Sequence, residues 1–410
     1  MDLINTNILL YLDYPDIINA CRALPGFFFR VGNKPYFWSL KAECDFGIPS
    51  SELLLVPGSN NKKRYEYIYN IEDRDEGLKE ATKLGILSLV KYYLKQGTDL
   101  HADNEAILRL AAAKGHLNIV KYLIGLGADL YVEDHYALRS AANYGHLDVV
   151  KYLVEQGADI HAMVEEALIF AGKNGHLDVV KYLVERGANF HVRDEAALSF
   201  AAGNGQLAIV KYLAGIGANL HAMNEFALGW AAKNGHLDVV KYLVEQGADL
   251  HAENELALRW TTSNGHLDVV KYLIEQGADL HAQNEAALRL AASNGHLAIV
   301  KYLVERGANL HARDEEALRS AASNGHFDIV KYLIERGANL HIGDEEPLKS
   351  AAKYGHLKVV KYLIEQGANL HAKGEEALRL AAVNDRLGVV KYLIEQGADI
   401  CKLIKQLNNI

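Results

Sequence analysis

The sequence is poor in the residues on which several specialised protein classes depend. Its 410 residues include three cysteines, Cys21, Cys44 and Cys401, which are too few and too scattered for a disulfide framework or a four-ligand zinc site. That scarcity is typical of a reducing compartment. Five of the six prolines lie within residues 1–70, which sets this stretch apart from the rest of the chain.

Positive charge and long apolar runs are also scarce. Lys and Arg total 43 against 52 for Asp and Glu, and the formal charge of −9 argues against a nucleic-acid or anionic-membrane surface as the main contact. No uncharged apolar run approaches the ~18 residues that span a bilayer. The start, MDLINTNILLYLDYPD, lacks the basic region and cleavage site of a signal peptide. We therefore expect a protein of the cytoplasm that contacts neither nucleic acid nor membrane. A nuclear location is the alternative.

Internal repetition dominates the chain from about residue 75. Repeats of thirty residues open at His101, at Tyr131 and at every thirtieth residue onward to Cys401. In the repeat HAQNEAALRLAASNGHLAIVKYLVERGANL (281–310), apolar residues have helical spacing on both sides of Asn294-Gly295. The pattern predicts a helix hairpin, with Asn284 capping the first helix and Gly307 ending the second. Because one hairpin cannot cover its own apolar face, the hairpins should stack into an elongated superhelix.

The segment AASNGHLAIVKYLVERGANLHA resembles the ankyrin repeat, and GHLDVVKYLVEQGAD recurs at 145–159 and 235–249. The resemblance covers about four-fifths of the chain in about eleven repeats. It implies an all-α ankyrin-repeat solenoid over residues 71–410, with atypical terminal repeats as caps. Each repeat is about three residues shorter than the usual ~33, so the projecting fingers should be short and recognition should rely on helix faces. The recurring GHLDVVKYL motif also resembles sequences in ankyrin proteins of large DNA viruses that infect amoebae.

Residues 1–70 carry no repeat and predict a small helical module. The string ILLYLDYPDIINACRALPGFFFRVGNKPYFWSLKAECDFG (8–47) resembles an F-box, the module that docks on the small adaptor of cullin-type ubiquitin ligases. That resemblance implies adaptor contacts at Leu9, Leu12, Pro15 and Ile17, with Trp38 in the core. The usual Leu-Pro-x-Glu opening is missing. The alternative is that this module only caps the apolar end of the solenoid.

Positions that vary between repeats indicate where a partner would bind. We number positions from the residue that opens each repeat. Aromatic residues gather at the tenth position of the central repeats, and Met or further apolar residues gather at the third and sixth positions there. The candidate protein-binding residues of the solenoid are Met163, Glu165, Phe170, Glu195, Phe200, Met223, Glu225, Phe226, Trp230, Leu256 and Trp260. The alternative is that these aromatic residues simply stack on one another between neighbouring first helices.

A second variation coincides with the aromatic residues. Most repeats have Glu at position 5 and Arg or Lys at position 9, as in Glu285 and Arg289, which predicts a solvated i,i+4 ion pair. Three central repeats replace the base by Ile169, Ser199 and Gly229. We therefore expect exposed carboxylates beside large apolar groups, and a partner segment that is itself basic and apolar.

The histidines invite a metal or catalytic interpretation, but their spacing argues against it. Nine of the eighteen open repeats and eight follow Gly in a Gly-His turn, so their role should be structural. Side chains about one helix-packing distance apart, roughly 10 Å, cannot share a metal ion. No phosphate-binding glycine loop, HExxH pair, GxSxG elbow or Cys-His pattern occurs.

The sequence leaves three functions to compare. The first is a monomeric interaction protein without cofactor or metal, whose solenoid captures a target and whose first module links it to a host ubiquitin ligase. The second is a passive scaffold or sequestering protein in which residues 1–70 only cap the stack. The third, an enzyme, would need a cluster of non-periodic polar residues, and the sequence shows none.

Overall fold

The structure is a computed structural model that describes Asp13, residues 15–17 and residues 35–402. Throughout these residues the regular structure is helical and contains no strand, as the sequence predicts. No helix in the described ranges is long and apolar enough to cross a membrane. The chain divides into two compact units, Met1–Arg193 and Asp194–Ile410, and each is described by itself.

Within residues 35–70 of the first unit, three helices precede the repeats. They are α1 (Pro35–Phe46), α2 (Ser50–Leu53) and α3 (Asn61–Tyr69). Trp38 is 1% exposed and lies 5.3 Å from the ring of Tyr65, which confirms it as a core residue. This group of helices contacts the first hairpin, because Phe46 packs edge-on against Tyr92 at 5.4 Å and Glu52 accepts a hydrogen bond from the Ser88 N–H at 3.1 Å.

The hairpins of the first unit follow one another without interruption. They are α4 (Arg74–Leu84) with α5 (Leu87–Lys95), α6 (Ala102–Lys114) with α7 (Leu117–Gly125), α8 (Val132–Asn143) with α9 (Leu147–Glu155), and α10 (Ala162–Asn174) with α11 (Leu177–Glu185). The first helices of neighbouring hairpins pack more closely than the second helices. Alanines such as Ala111 and Ala112, which are fully buried, allow that approach.

The second unit continues with the same hairpin. Its helices are α12 (Val192–Gly203), α13 (Leu207–Gly215), α14 (Ala222–Lys233), α15 (Leu237–Glu245), α16 (Ala252–Asn264), α17 (Leu267–Glu275), α18 (Ala282–Ser293), α19 (Leu297–Glu305), α20 (Ala312–Ser323), α21 (Phe327–Glu335), α22 (Ile342–Tyr354), α23 (Leu357–Glu365), α24 (Glu376–Val383) and α25 (Leu387–Glu395). Gly307 follows α19 with a left-handed φ of 97°, which confirms the predicted helix end.

The Gly-His turns explain eight of the histidines. The ring of His236 hydrogen-bonds through Nε2 to the Gly203 carbonyl oxygen, 3.2 Å away in the preceding repeat. It also lies against Gly205, where a Cβ would come within 2.7 Å of the ring. Each such histidine therefore joins two turns, and the structural role expected from the sequence is confirmed. The described residues contain no group of three or more metal-binding side chains arranged around a common point.

Candidate protein-binding face

The first helix of each typical repeat begins with a left-handed turn that the sequence analysis missed. Gln283, Asn284 and Glu285 have φ values of 50°, 56° and 61°, and the corresponding residues of the other repeats behave alike. Asn284 therefore lies inside this turn, and its carbonyl oxygen accepts a hydrogen bond from Nε of Arg289 at 3.0 Å. The prediction that Asn284 caps a right-handed helix is wrong, because the right-handed part of α18 starts only after Glu285.

The left-handed turn carries the position-5 glutamate inward. Glu165, Glu195 and Glu225 are 4%, 4% and 7% exposed, so the prediction of exposed carboxylates is wrong. Glu225 Oε1 lies 2.5 Å from Nδ1 of His221 and accepts the Asp249 N–H of the next repeat at 3.1 Å. The carboxylate is thus a structural bridge between repeats and offers no charge to a partner.

The histidine that opens most repeats is part of the same bridge, because it forms a hydrogen bond with the position-5 glutamate. The hydrogen bond that the exposed His101 donates to the Glu105 carboxylate raises the pKa of His101, and those donated to Glu165 and Glu255 raise the pKa values of His161 and His251. In the repeat that opens at Tyr131 the acceptor is instead Nδ1 of His135, which lies 3.3 Å from the Asp159 N–H.

The position-9 arginines make contacts other than the predicted ones. Arg289 donates from Nη2 to the Gln283 carbonyl oxygen at 3.2 Å, and its Nη1 lies 2.8 Å from Glu316 of the next repeat. The predicted Glu285–Arg289 pair is therefore wrong, because Glu285 is buried against His281. The arginine holds the carbonyl groups of the left-handed turn, which a right-handed helix would have satisfied internally.

Four aromatic side chains and one leucine lie on α12, α14 and α16 and form what we call the aromatic face: Phe200, Phe226, Trp230, Leu256 and Trp260. Trp230 lies edge-on to Phe200 at 5.5 Å and is tilted against Phe226 at 5.0 Å. All five side chains are half-buried. Phe200, Phe226 and Trp230 contact one another, as the stacking alternative expects, and all five side chains also present part of their surface to solvent.

Glycines make room for the two indoles. A Cβ on Gly203 would lie 2.7 Å from Cε3 of Trp230, and a Cβ on Gly229 would lie 3.3 Å from Trp260. The absence of a base at position 9 of this repeat therefore has a packing reason: a long side chain at 229 would compete with Trp260 for the same space.

The remaining candidates lie apart from this cluster or outside the described residues. Met223 is 56% exposed in the left-handed turn at the start of α14. In the first unit Met163 is 45% exposed, and Phe170 is half-buried on α10. Leu9 and Leu12 lie outside the described residues. Of the other two adaptor candidates, Pro15 is exposed and Ile17 is fully buried.

Two cations border the aromatic face and were not singled out from the sequence. Nζ of the exposed Lys233 lies 5.4 Å from the centre of the Trp260 ring. Arg259 donates from Nε to the Asn254 carbonyl oxygen at 3.0 Å and from Nη2 to that of Glu253 at 2.9 Å. The signal was present in the sequence, because positions 6, 9, 10 and 13 of these repeats contain Lys233 and Arg259 and no Asp or Glu.

A polar depression lies further along the second unit. Its volume is about 300 Å³, and Ser320, Ser323 and Ser350 line it together with Glu316, Arg319 and Glu346. It exists because position 10 is serine in two consecutive repeats, where neighbouring repeats have Leu290 and Leu380. Its two carboxylates pair with residues outside the depression, Glu316 with Arg289 at 2.8 Å and Glu346 with Lys349 at 3.0 Å, and Arg319 donates to the Arg313 carbonyl oxygen at 3.1 Å.

Comparison with known proteins supports the repeat assignment. A family model described as ankyrin repeats (3 copies) matches residues 78–164, 136–194, 164–224, 198–284, 228–314, 258–344 and 318–403. Among solved structures, the crystal structure of the human ASB11 ankyrin repeat domain is 28% identical and covers 47% of this chain and 96% of that chain, with a TM-score of 0.42. The comparison with curated proteins found no match.

Proposed function

The chain belongs to the ankyrin-repeat family, and from that premise we propose that it captures a protein partner on the aromatic face of α12, α14 and α16. Ankyrin repeats are in general protein–protein interaction modules and non-enzymatic binding scaffolds. The observation that carries the proposal is the half-exposed cluster of Phe200, Phe226 and Trp230. Aromatic side chains in such partly desolvated clusters are the residue type that dominates binding energy at interfaces.

A pull-down from cell extract with quantitative mass spectrometry tests this proposal. The full chain is compared with Trp260→Ala and Phe226→Ala, and with Leu290→Ala as a control at the tenth position of another repeat. Circular dichroism checks that each variant is folded. We expect the two aromatic variants to lose a protein that Leu290→Ala retains, because truncating a hot-spot aromatic residue costs at least about 2 kcal/mol of binding. Unchanged capture by both aromatic variants would show that the cluster is only packing.

A second candidate function concerns residues 1–70, which we propose form a module separate from the solenoid of residues 71–410. The F-box resemblance of residues 8–47 favours a substrate receptor that hands the captured protein to a host cullin-type ubiquitin ligase. The Phe46–Tyr92 and Glu52–Ser88 contacts favour the alternative, in which this module caps the first hairpin and the chain is a passive scaffold.

Binding of the full chain to the purified ligase adaptor separates these two functions. Because Ile17 is fully buried, Ile17→Asp would test folding, and the informative variants are Leu12→Asp and Asp16→Lys, since Asp16 is exposed. Adaptor binding that both changes abolish supports the receptor. A folded chain that does not bind the adaptor supports the scaffold.

A further inference from the structure

The charge of the aromatic face is positive, which reverses the expectation drawn from the sequence. The carboxylates that were expected to attract a basic partner are buried: Glu225 and Glu255 are 7% and 3% exposed and are bonded to His221 and His251. What remains on the helix surfaces around the indoles is Lys233 and Arg259.

We propose that the partner segment held by the aromatic face is acidic as well as apolar, with a carboxylate of the partner binding between Lys233 and Arg259 beside the Trp260 ring. This inference rests on the proposed function, because it specifies the chemistry of the partner at the same face. It commits to a protein segment that places Asp or Glu next to a bulky apolar residue.

The guanidinium of Arg259 can bind such a carboxylate because it has no carboxylate partner within the described part of the chain. Its Nε and Nη2 are bonded to the neutral carbonyl groups of the left-handed turn, and in the described part of the chain no ion pair involves Arg259. The contrast with Arg289 is direct, because Nη1 of Arg289 lies 2.8 Å from Glu316. The residue that corresponds to Glu316 in the repeat after Arg259 is Ala286, so the sequence leaves the guanidinium of Arg259 without its usual carboxylate.

Lys233 supplies the second cation. It is exposed, and its Nζ lies 5.4 Å from the centre of the Trp260 ring, while its carbonyl oxygen accepts a hydrogen bond from His266 in the next repeat. A carboxylate bound beside Trp260 would have the ammonium of Lys233, which lies over that ring, and the guanidinium of Arg259, the residue before Trp260, as its two cationic partners. A charge-assisted hydrogen bond to a guanidinium fixes the direction of a carboxylate as well as its position.

An exposed carboxylate of the same repeat, Glu253, does not cancel this charge. Glu253 lies in the left-handed turn at the start of α16, and its Oε1 accepts a hydrogen bond from Nδ2 of Asn224 at 2.7 Å. Glu253 is thus held at the rim of the repeats by a residue of the preceding turn. A basic partner segment on the face itself would meet Lys233 and Arg259 and would be repelled.

Selection from a random dodecapeptide library displayed on phage, with the full chain as bait, tests the inference without a known partner. The selected peptides are then measured by fluorescence polarisation against the full chain, against the double variant Lys233→Glu with Arg259→Glu, and against Lys241→Glu with Lys271→Glu. The variant with Lys241→Glu and Lys271→Glu is the control. It changes the net charge by the same amount, but on α15 and α17, each of which is the second helix of its repeat. Trp230→Ala provides the variant that removes the apolar part of the face.

We expect peptides enriched in Asp or Glu next to aromatic or aliphatic residues. Their affinity should fall at least about tenfold in the Lys233 and Arg259 variant and should change little in the Lys241 and Lys271 variant. Basic or uncharged peptides that depend on Trp230 would overturn the charge preference and leave the proposed face intact. Peptides whose binding is independent of Trp230, or no enrichment at all, would contradict both the face and this inference.

Discussion

The carboxylate of Glu225 accepts a hydrogen bond from the backbone N–H of Asp249 in the next repeat, over 3.1 Å. Equivalent bonds join Glu105 to Asp129 and Glu165 to Asn189. Because each of these glutamates also bonds the histidine that opens its own repeat, one side chain fixes two turns. Stability in a repeat protein depends on such contacts between neighbours.

Glu225→Ala should therefore destabilise the protein although it removes no apolar contact. We expect a loss of about 1–3 kcal/mol in the free energy of unfolding, because the Asp249 N–H and the His221 ring lose their acceptor. Urea unfolding followed by circular dichroism gives the value. The control is Glu245→Ala at the exposed end of α15, which should change stability by less than about 0.5 kcal/mol. Equal effects of the two changes would contradict the bridging role.

The His–Glu pairs predict how stability depends on pH. A histidine whose pKa is raised in the folded state holds its proton more tightly there, so its stabilising contribution is complete below the ordinary histidine pKa of 6.5 and is lost as the pH rises through the raised value. We expect the Tm to fall as the pH increases from about 6 to about 8. A Tm that rises over this range would contradict the prediction.

The pKa of one histidine tests the cause of that dependence. In Glu255→Gln the pKa of His251, followed by NMR titration, should fall toward its ordinary value because the hydrogen bond that His251 donates to the Glu255 carboxylate raises it most. Asp249 and Asp279, the other charged groups that raise it, remain in the variant. An unchanged titration of His251 would assign the shift to those two residues.

The hairpins were predictable from the sequence, whereas the role of the position-5 glutamate was not. Apolar spacing on both sides of Asn294-Gly295 reports burial directly, since the helical period and the glycine break are both local. The fate of Glu285 depends on the left-handed backbone at Gln283 and Asn284, for which the sequence has only a weak signal, because Asn is enriched in that conformation whereas Gln and Glu usually avoid it. A glutamate four positions before an arginine therefore resembled half of a surface ion pair.

The aromatic face was predictable in its residues and not in its charge. Phe200, Trp230 and Trp260 stand out because the tenth position varies while the rest of the repeat does not. The sign of the charge depended on which carboxylates are buried, and burial of Glu225 follows from the same unpredicted turn.

The left-handed turn should accept glycine at no cost. Gln283→Gly places a residue without a Cβ at φ 50°, where other residues are disfavoured by about 1–2 kcal/mol. We expect stability equal to or above that of the parent chain, and two repeats already have Gly343 and Gly374 in this turn. Ala286→Gly, in the right-handed part of the same helix, is the control and should cost about 1 kcal/mol. Equal losses in thermal unfolding would argue against a left-handed turn at Gln283.

The close approach of Trp230 to Gly203 can be tested by comparing Gly203 with Gly215, a glycine that also ends a helix. Gly203 ends α12 and Gly215 ends α13, but a Cβ on Gly203 would meet Trp230 at 2.7 Å, whereas one on Gly215 would meet nothing within 4 Å. Gly203→Ala should therefore cost about 1–3 kcal/mol by overpacking. Gly215→Ala should be neutral or should stabilise the protein by up to about 1 kcal/mol, because alanine favours the helix.

Tryptophan fluorescence shows what the added methyl group does. Gly203→Ala should shift the emission of Trp230 to longer wavelength as the indole moves toward water, and Gly215→Ala should leave the spectrum unchanged. Trp38 and Trp260, the other two indoles of the chain, contribute a common background in both variants. If the two variants were equally stable and had the same spectrum, Trp230 would adjust without strain. The aromatic face would then lack the fixed geometry on which selective binding of a partner depends.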